Sequence, residues 1–477
     1  MRIAKNSLAL GCAAMVAACG GGGGSGSGGQ SGGGTATPTP TPTSTTATCS
    51  LSARQDFVRE ALERYYLFPS LLATNVNKSS YTDLQAYIDA LVAPARAQGR
   101  DRFFTYITSI EEENAFIREG SSAGFGFRLG YDGDARRVFV IETFEGTAAL
   151  GANIDRGSEI LAIGTSTSNL QTVSSIYANG GAFAVSEALG PGDAGVSRVL
   201  RVRDQSGVER EVSLTKTEYE LDPVSDRYGA KVLDDGGKKV GYLNLRTFID
   251  SAEDDLLAAF ADFRAQGITE YVIDLRYNGG GLLSTAEVFG DLLARDLNGR
   301  EYYTIAFNDA NASENDTYNF QSRPQSVAPT KIAFITTGST ASASELLING
   351  QLPYRDQISL VGEDTYGKPV GQIAIDRAAC DDRFRVLAFA LENANGQGAY
   401  FDGLSEFVNN TCRAQDDISY QMGDPREEMT ARALDTLAGR TCTPFAGTGI
   451  TTQSVRTRGV IEPRNADTID RYLPGRN

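Results

Sequence analysis

The sequence predicts a multidomain chain of α+β and α/β class, with a helical domain first, a small β domain next, and a larger domain with a mainly parallel sheet and crossover helices last. Three observations carry that reading. Apolar residues recur at three- and four-residue steps between positions 57 and 91, short alternating runs bounded by glycine fill 122–220, and after 221 apolar runs alternate with amphipathic helical stretches. At 477 residues the chain exceeds one ordinary core, and 41% apolar with 22% charged residues is a globular composition. A net charge of −16 leaves no basic stripe to neutralise phosphates, which argues against nucleic acid as a partner.

Residues 1–19 have a basic start (Arg2, Lys5), an apolar stretch over 8–16, and the ending Val16-Ala17-Ala18-Cys19. This reads as a signal peptide, too short for a permanent span. Its ending resembles a bacterial lipobox, which implies a lipid on Cys19 and attachment to a membrane; the lack of aspartate just after Cys19 favours the outer membrane, facing the periplasm. Residues 20–48 are almost wholly Gly, Ser, Thr and Pro and read as a flexible tether. Cys12 leaves with the signal and Cys19 with the lipid, so Cys49, Cys380, Cys412 and Cys442 remain for two disulfides with three possible pairings. The pairing expected is Cys380–Cys412, closing an insertion, and Cys49–Cys442, tying the start of the folded part to its end. With no Cys-x-x-Cys pair and no histidine cluster, neither a metal nor a cofactor is expected.

Over residues 49–120 the stripes Phe57, Val58, Ala61, Leu62, Tyr65 and Leu84, Tyr87, Ile88, Leu91 have helical spacing and read as core. Over 121–220 the pattern shortens to strands: Gly124-Phe125-Gly126-Phe127-Arg128-Leu129, then 137–141, 159–163, and a hairpin of 198–202 with 210–214 around Gly207. That order resembles a PDZ domain. The resemblance implies capture of an extended peptide as an added strand, with Gly124, Phe125, Gly126 and Phe127 as the loop whose N–H groups take the terminal carboxylate. Phe125 and Phe127 are then either pocket residues or core fillers.

Residues 221–442 alternate strand and helix. A strand over 240–245 precedes a helix that starts at Ser251 and buries Leu256, Leu257, Phe260 and Phe263; a strand over 271–275 enters the turn 276–281 and then a helix over 282–293. Strand, glycine turn and helix make a crossover unit, and functional groups of such sheets gather beyond the carboxyl ends of the strands. The apolar run 332–335 stops at Gly338-Ser339 and a helical stretch follows from Ser342, so Ser342 stands where free helical N–H groups and the helix dipole can stabilise an oxyanion. The chain contains no histidine, which rules out a Ser-His-Asp triad. A serine can instead be activated by a neutral lysine whose pKa burial has lowered from ~10.4. The third residue after Ser342 is Glu345, not lysine, so the base must come from elsewhere, and Lys368, beyond the apolar run 358–361, fits.

Ser339-Thr340-Ala341-Ser342-Ala343-Ser344-Glu345, followed by Tyr366-Gly367-Lys368-Pro369-Val370-Gly371-Gln372, resembles the catalytic segment of the C-terminal-processing (tail-specific) serine proteases. Asp274-Leu275-Arg276-Tyr277-Asn278-Gly279-Gly280-Gly281 resembles a second signature of the same family. The resemblance implies Ser342 as nucleophile, Lys368 as general base, Gln372 as the group that orients the lysine, and the N–H groups of Gly280 and Ala343 as the oxyanion hole, with Gly281 as the fallback. Ser344 is the rival nucleophile, and Asp274 and Arg276 support the turn. The expected function is a lipid-anchored serine endopeptidase acting on envelope proteins through their carboxyl-terminal tails; the alternative is an inactive peptide-binding scaffold. Residues 376–417 are expected to decorate the site's rim, and 443–477 to form a poorly ordered tail.

Overall fold

Three of the four β-sheets among the described residues organise the computed structural model, which describes residues 49–445, 458–461, 471 and 474; the signal peptide, the tether and Cys19 lie outside the described residues. The central sheet runs Ala230–Asp235, Lys238–Asn244, Glu270–Asp274, Lys331–Thr336, Ile358–Gly362, Asn410–Arg413, with only the first strand antiparallel to its neighbour. Its strands are continuous apolar runs because both faces are covered. Helices Ala252–Ala265, Leu283–Leu292 and Ala343–Asn349 place Leu256, Phe260, Phe289 and Leu346 against Tyr271 and Ile273 on one face. Helix Glu428–Leu437 places Met429, Ala433 and Leu434 against Val272, Ala333 and Val361 on the other.

The second sheet is antiparallel. Asp382–Glu392 pairs with Tyr106–Ser109, Glu301–Phe307 and Val370–Arg377, and Asp316–Asn319 extends it beyond Glu301–Phe307. Helices Leu51–Tyr65 and Leu84–Ala97 cover it, packing Val58, Leu62, Ile88 and Leu91 with Phe384, Val386 and Leu387. Residues 376–417 are therefore not rim decoration: they supply the strand that joins the amino-terminal helices to the rest of the chain, and Asn410–Arg413 is the edge of the parallel sheet.

The third sheet contains Phe127–Asp132, Arg137–Thr143, Glu159–Gly164, Ser197–Arg203 and Glu209–Thr215, with helix Val173–Leu189 packed on it. Phe125 and Phe127 are fully buried, with ring centroids 5.7 Å apart, and fill this core rather than lining a pocket. Gly126 is needed for its backbone: φ is +88°, and an added Cβ would lie 2.0 Å from Thr147. The free edge of Phe127–Asp132 is taken by the short antiparallel strand Arg458–Val460, where a poorly ordered tail was expected.

The disulfides also differ from expectation. Cys49 pairs with Cys380 and Cys412 with Cys442, at Cα separations of 5.5 and 5.4 Å. Cys49 precedes the helix whose Arg54 pairs with Asp382, which brings it to the turn holding Cys380. Cys412 lies on the edge strand beside the returning chain, where the Arg413 N–H donates to the Thr443 carbonyl at 2.7 Å. Cys380 lies in a turn between two strands of the antiparallel sheet and Cys412 on the edge strand of the parallel sheet, and each is bonded to another cysteine, so the expected pairing does not form. Among the described residues, no helix is long and apolar enough to cross a membrane.

Candidate active site

Strand Lys331–Thr336 ends at the carboxyl edge of the parallel sheet, and Ser342 follows as the residue before helix Ala343–Asn349. Ser342 has φ 58° and ψ −115°, a conformation costly for a residue with a Cβ and kept only where the surroundings enforce it. One enforcing group is Glu345. Its fully buried carboxylate accepts from the Ser342 N–H at 2.9 Å, the Gly367 N–H at 2.6 Å and the Lys368 N–H at 2.7 Å. The same oxygen, Oε2, takes both the Ser342 and Lys368 amides, so this one side chain sets the two backbones side by side. Burial pushes the Glu345 carboxyl up, and hydrogen bonds from Thr365 and these amides pull against that shift.

Lys368 precedes strand Val370–Arg377, and its Nζ donates to Gln372 Oε1 at 3.1 Å. The register of that strand shifts between Gly371 and Gln372, a bulge that re-aims the Gln372 side chain. Gln372 is fixed in turn, since its Nε2 donates to the Phe104 carbonyl. The Phe104 ring lies 5.0 Å from the Lys368 amine. Burial, reinforced by Arg471 and Arg385, lowers the Lys368 pKa to about 7, against the opposing pull of Glu345 and Asp101. The lysine residue keeps a partly exposed surface while its amine is enclosed.

The loop that carries Phe104 comes from the helical region and was not singled out in the sequence. Asp101 Oδ1 accepts from the Phe104 N–H at 2.8 Å, and Arg102 donates to the carbonyls of Tyr366, Gly367 and Phe401. No local periodicity marks such a loop, because its partners lie more than 260 residues away. Glu345, by contrast, was visible three residues after Ser342 in a capping position.

Strand Glu270–Asp274 leads into the glycine turn. Gly280 has φ +106°, and a Cβ there would lie 2.7 Å from the Ser342 Cβ, so glycine alone allows the turn to touch the serine. Asn278 is fully buried and ties the two together: Nδ2 donates to the Leu245 carbonyl at 2.8 Å, and its own carbonyl accepts from the Ala341 N–H at 3.0 Å and the Ser344 hydroxyl at 3.1 Å. Ser344 is thus engaged and buried, whereas Ser342 is partly exposed. In this conformation the Gly280 N–H donates to Asn278 Oδ1 at 2.9 Å, whereas the Ala343 N–H, in the first turn of its helix, has no intrahelical acceptor. Asp274 and Arg276 are fully buried and paired, with Arg276 reaching Asp416 and Glu427 at 2.9 Å each and Tyr242 donating to Asp274 at 2.7 Å; they brace the turn. Phe125 and Phe127 belong to the third sheet's core, Gly124 ends the short strand Ser121–Gly124 that pairs with Thr217–Glu220, and the Phe125 and Gly126 carbonyls accept from the Ala149 and Phe144 N–H groups at 3.0 and 2.9 Å.

A serine at a strand-to-helix junction, clipped through one carboxylate to a lysine of lowered pKa, has the parts that nucleophilic chemistry by a serine requires. Residues 239–400 of the chain match the family described as peptidase family S41. It is 30% identical over 250 residues to the carboxyl-terminal-processing protease of a Picosynechococcus strain, covering 52% of this chain and 55% of that protein. It is 29% identical over 266 residues to the chloroplastic C-terminal processing peptidase of Tetradesmus obliquus, covering 54% of this chain and 53% of that one. The chain thus spans about half the length of the curated relatives it matches. A crystal structure from Bacteroides fragilis assigned to the S41 proteases has the same fold, with a TM-score of 0.60 at 21% identity, over 80% of this chain and 97% of that one.

Proposed function

We propose that this chain is a serine endopeptidase with a Ser342/Lys368 dyad, held in the cell envelope by a lipid on Cys19 and acting on peptide bonds of envelope proteins. The observation that carries the reading is the Lys368 amine, fixed by Gln372 at 3.1 Å and lowered by burial to about 7, beside a serine held in a strained conformation. A neutral amine has the lone pair that a base requires. Ser342 Oγ attacks the substrate carbonyl carbon while Lys368 Nζ takes the hydroxyl proton; the tetrahedral oxyanion accepts from the Ala343 N–H and from the Gly280 N–H once the latter leaves Asn278. Collapse expels the amine, which receives the proton from Lys368, and leaves an acyl-enzyme. Water, deprotonated by the same lysine, then releases the acid.

Recognition of substrate carboxyl termini through the third sheet belongs to the same proposal, supported by the names of the relatives and by the edge of Phe127–Asp132, which accepts an added antiparallel strand. Incubation of the purified chain with an unfolded protein tests the reading. Cleavage by wild type that Ser342→Ala abolishes supports it, and no cleavage at any pH favours a peptide-binding scaffold.

A further inference from the structure

The edge of Phe127–Asp132 already carries a peptide, and that peptide is the chain's own. Arg458, Gly459 and Val460 pair antiparallel with Asp132, Tyr131 and Gly130, and the Ile461 N–H donates to the Leu129 carbonyl at 2.9 Å. Ile461 is fully buried in the apolar cluster that includes Leu129, Val185 and Leu189. Val460 packs against the cluster of Ile141, Tyr228, Tyr277 and Met422, and Tyr277 belongs to the glycine turn. Further on, the Arg471 guanidinium donates to the Phe103 carbonyl and stacks over Tyr106 at 4.2 Å. Its carbonyl oxygen would lie 2.0 Å from a Cβ on Gly279, so the tail backbone rests directly on the turn that precedes Gly280. The Pro474 carbonyl accepts from Arg128 at 2.7 Å, and the same Arg128 nitrogen donates to the Tyr277 carbonyl at 2.8 Å.

We propose that Arg458–Val460, Ile461, Arg471 and Pro474 form a tethered ligand that occupies the strand-accepting edge and the approach to Gly280, so that a substrate must displace the chain's own tail. The inference rests on the proposed endopeptidase for its consequence, but not for the contacts themselves. The ligand class follows from the seat: an extended segment with an aliphatic side chain in place of Ile461, and a cation between the Phe103 carbonyl and the Tyr106 ring. Tethering makes even a weak segment effective, because a short linker presents it at about millimolar local concentration. The docked segment is internal, with Glu462 following Ile461, so the edge is filled without a free carboxyl terminus.

The test uses the full chain, its Ile461→Asp variant and, should that variant fold poorly, Arg471→Ala. A fluorescent peptide spanning residues 456–463 serves as probe, read by anisotropy and therefore independent of proteolysis when measured on a Ser342→Ala background. The expected result is at least about tenfold tighter probe binding by the Ile461→Asp chain than by its parent, with faster hydrogen exchange confined to residues 128–132, and a lower KM for an unfolded protein in the active background. Equal binding by both chains, or none by either, overturns the tethered ligand. Loss of proteolysis in every active-background chain overturns the endopeptidase reading instead, while the anisotropy still judges the tail.

Discussion

In the proposed mechanism, Ser342, Lys368 and Glu345 divide the chemistry into three separable losses. Ser342→Ala and Lys368→Ala should each lower kcat/KM for an unfolded protein by at least about 10²–10⁴-fold with the fold retained. Ser344→Ala should leave activity within a few-fold and cost about 0.5–1.5 kcal/mol of stability, since its hydroxyl only bonds the Asn278 carbonyl. Lys368→Arg should be as inactive as Lys368→Ala, because a guanidinium does not lose its proton at working pH. The pH profile follows from the same amine. Lys368 has its pKa lowered to about 7, so the base is neutral above that value; kcat/KM should rise through about pH 7 to a plateau and fall as the amine is protonated below it. The groups that set this point are Arg471 and Arg385, which lower it, and Glu345 and Asp101, which raise it. Glu345→Gln keeps the shape but weakens three charge-assisted bonds to Ser342, Gly367 and Lys368, and should lower kcat more than it changes KM.

Elements rather than single groups decide how these residues meet. The alternation of strand and helix after residue 221 was legible because buried parallel strands and amphipathic helices have unmistakable apolar periods; Glu270–Asp274, the glycine turn and Leu283–Leu292 stand within a residue or two of where the pattern put them. Asp382–Glu392 was not legible as a central strand, since its partners at Tyr106–Ser109 and Glu301–Phe307 are long-range and its flanks are rich in charge. That miss carried two others with it. Without the strand, the Phe104 loop had no reason to reach Gln372, and Cys49 had no reason to meet Cys380. Arg458–Val460 escaped for another reason: three residues become a strand only where a neighbouring edge offers hydrogen bonds. The disulfide pairing is checkable by mapping non-reduced peptides, which should yield Cys49 linked to Cys380 and Cys412 to Cys442. Loss of the second bridge, whose cysteines are 30 residues apart, should cost about 3–4 kcal/mol.

Across the whole molecule, the proposed site is built from parts that are distant in sequence: the parallel sheet supplies Ser342 and the glycine turn, the antiparallel sheet supplies Lys368 and Gln372, and the helical region supplies Phe104. The third sheet reaches the same turn through Arg128, whose guanidinium joins Glu142 to the Tyr277 carbonyl; Glu142 in turn pairs with Arg246 at 2.7 Å. A fully buried network of this kind leaves charges uncompensated when one member is removed, so Glu142→Ala should cost about 3–5 kcal/mol. The convergence on one serine is the claim to test first. A fluorophosphonate that reacts with activated serine hydroxyls, followed by peptide mass mapping across pH 5–9, reads the nucleophile and its base together. The dyad predicts one adduct, on Ser342, whose rate rises through about pH 7 and which Lys368→Ala suppresses. An adduct on Ser344, or labelling of Ser342 at an unchanged rate in Lys368→Ala, would contradict it.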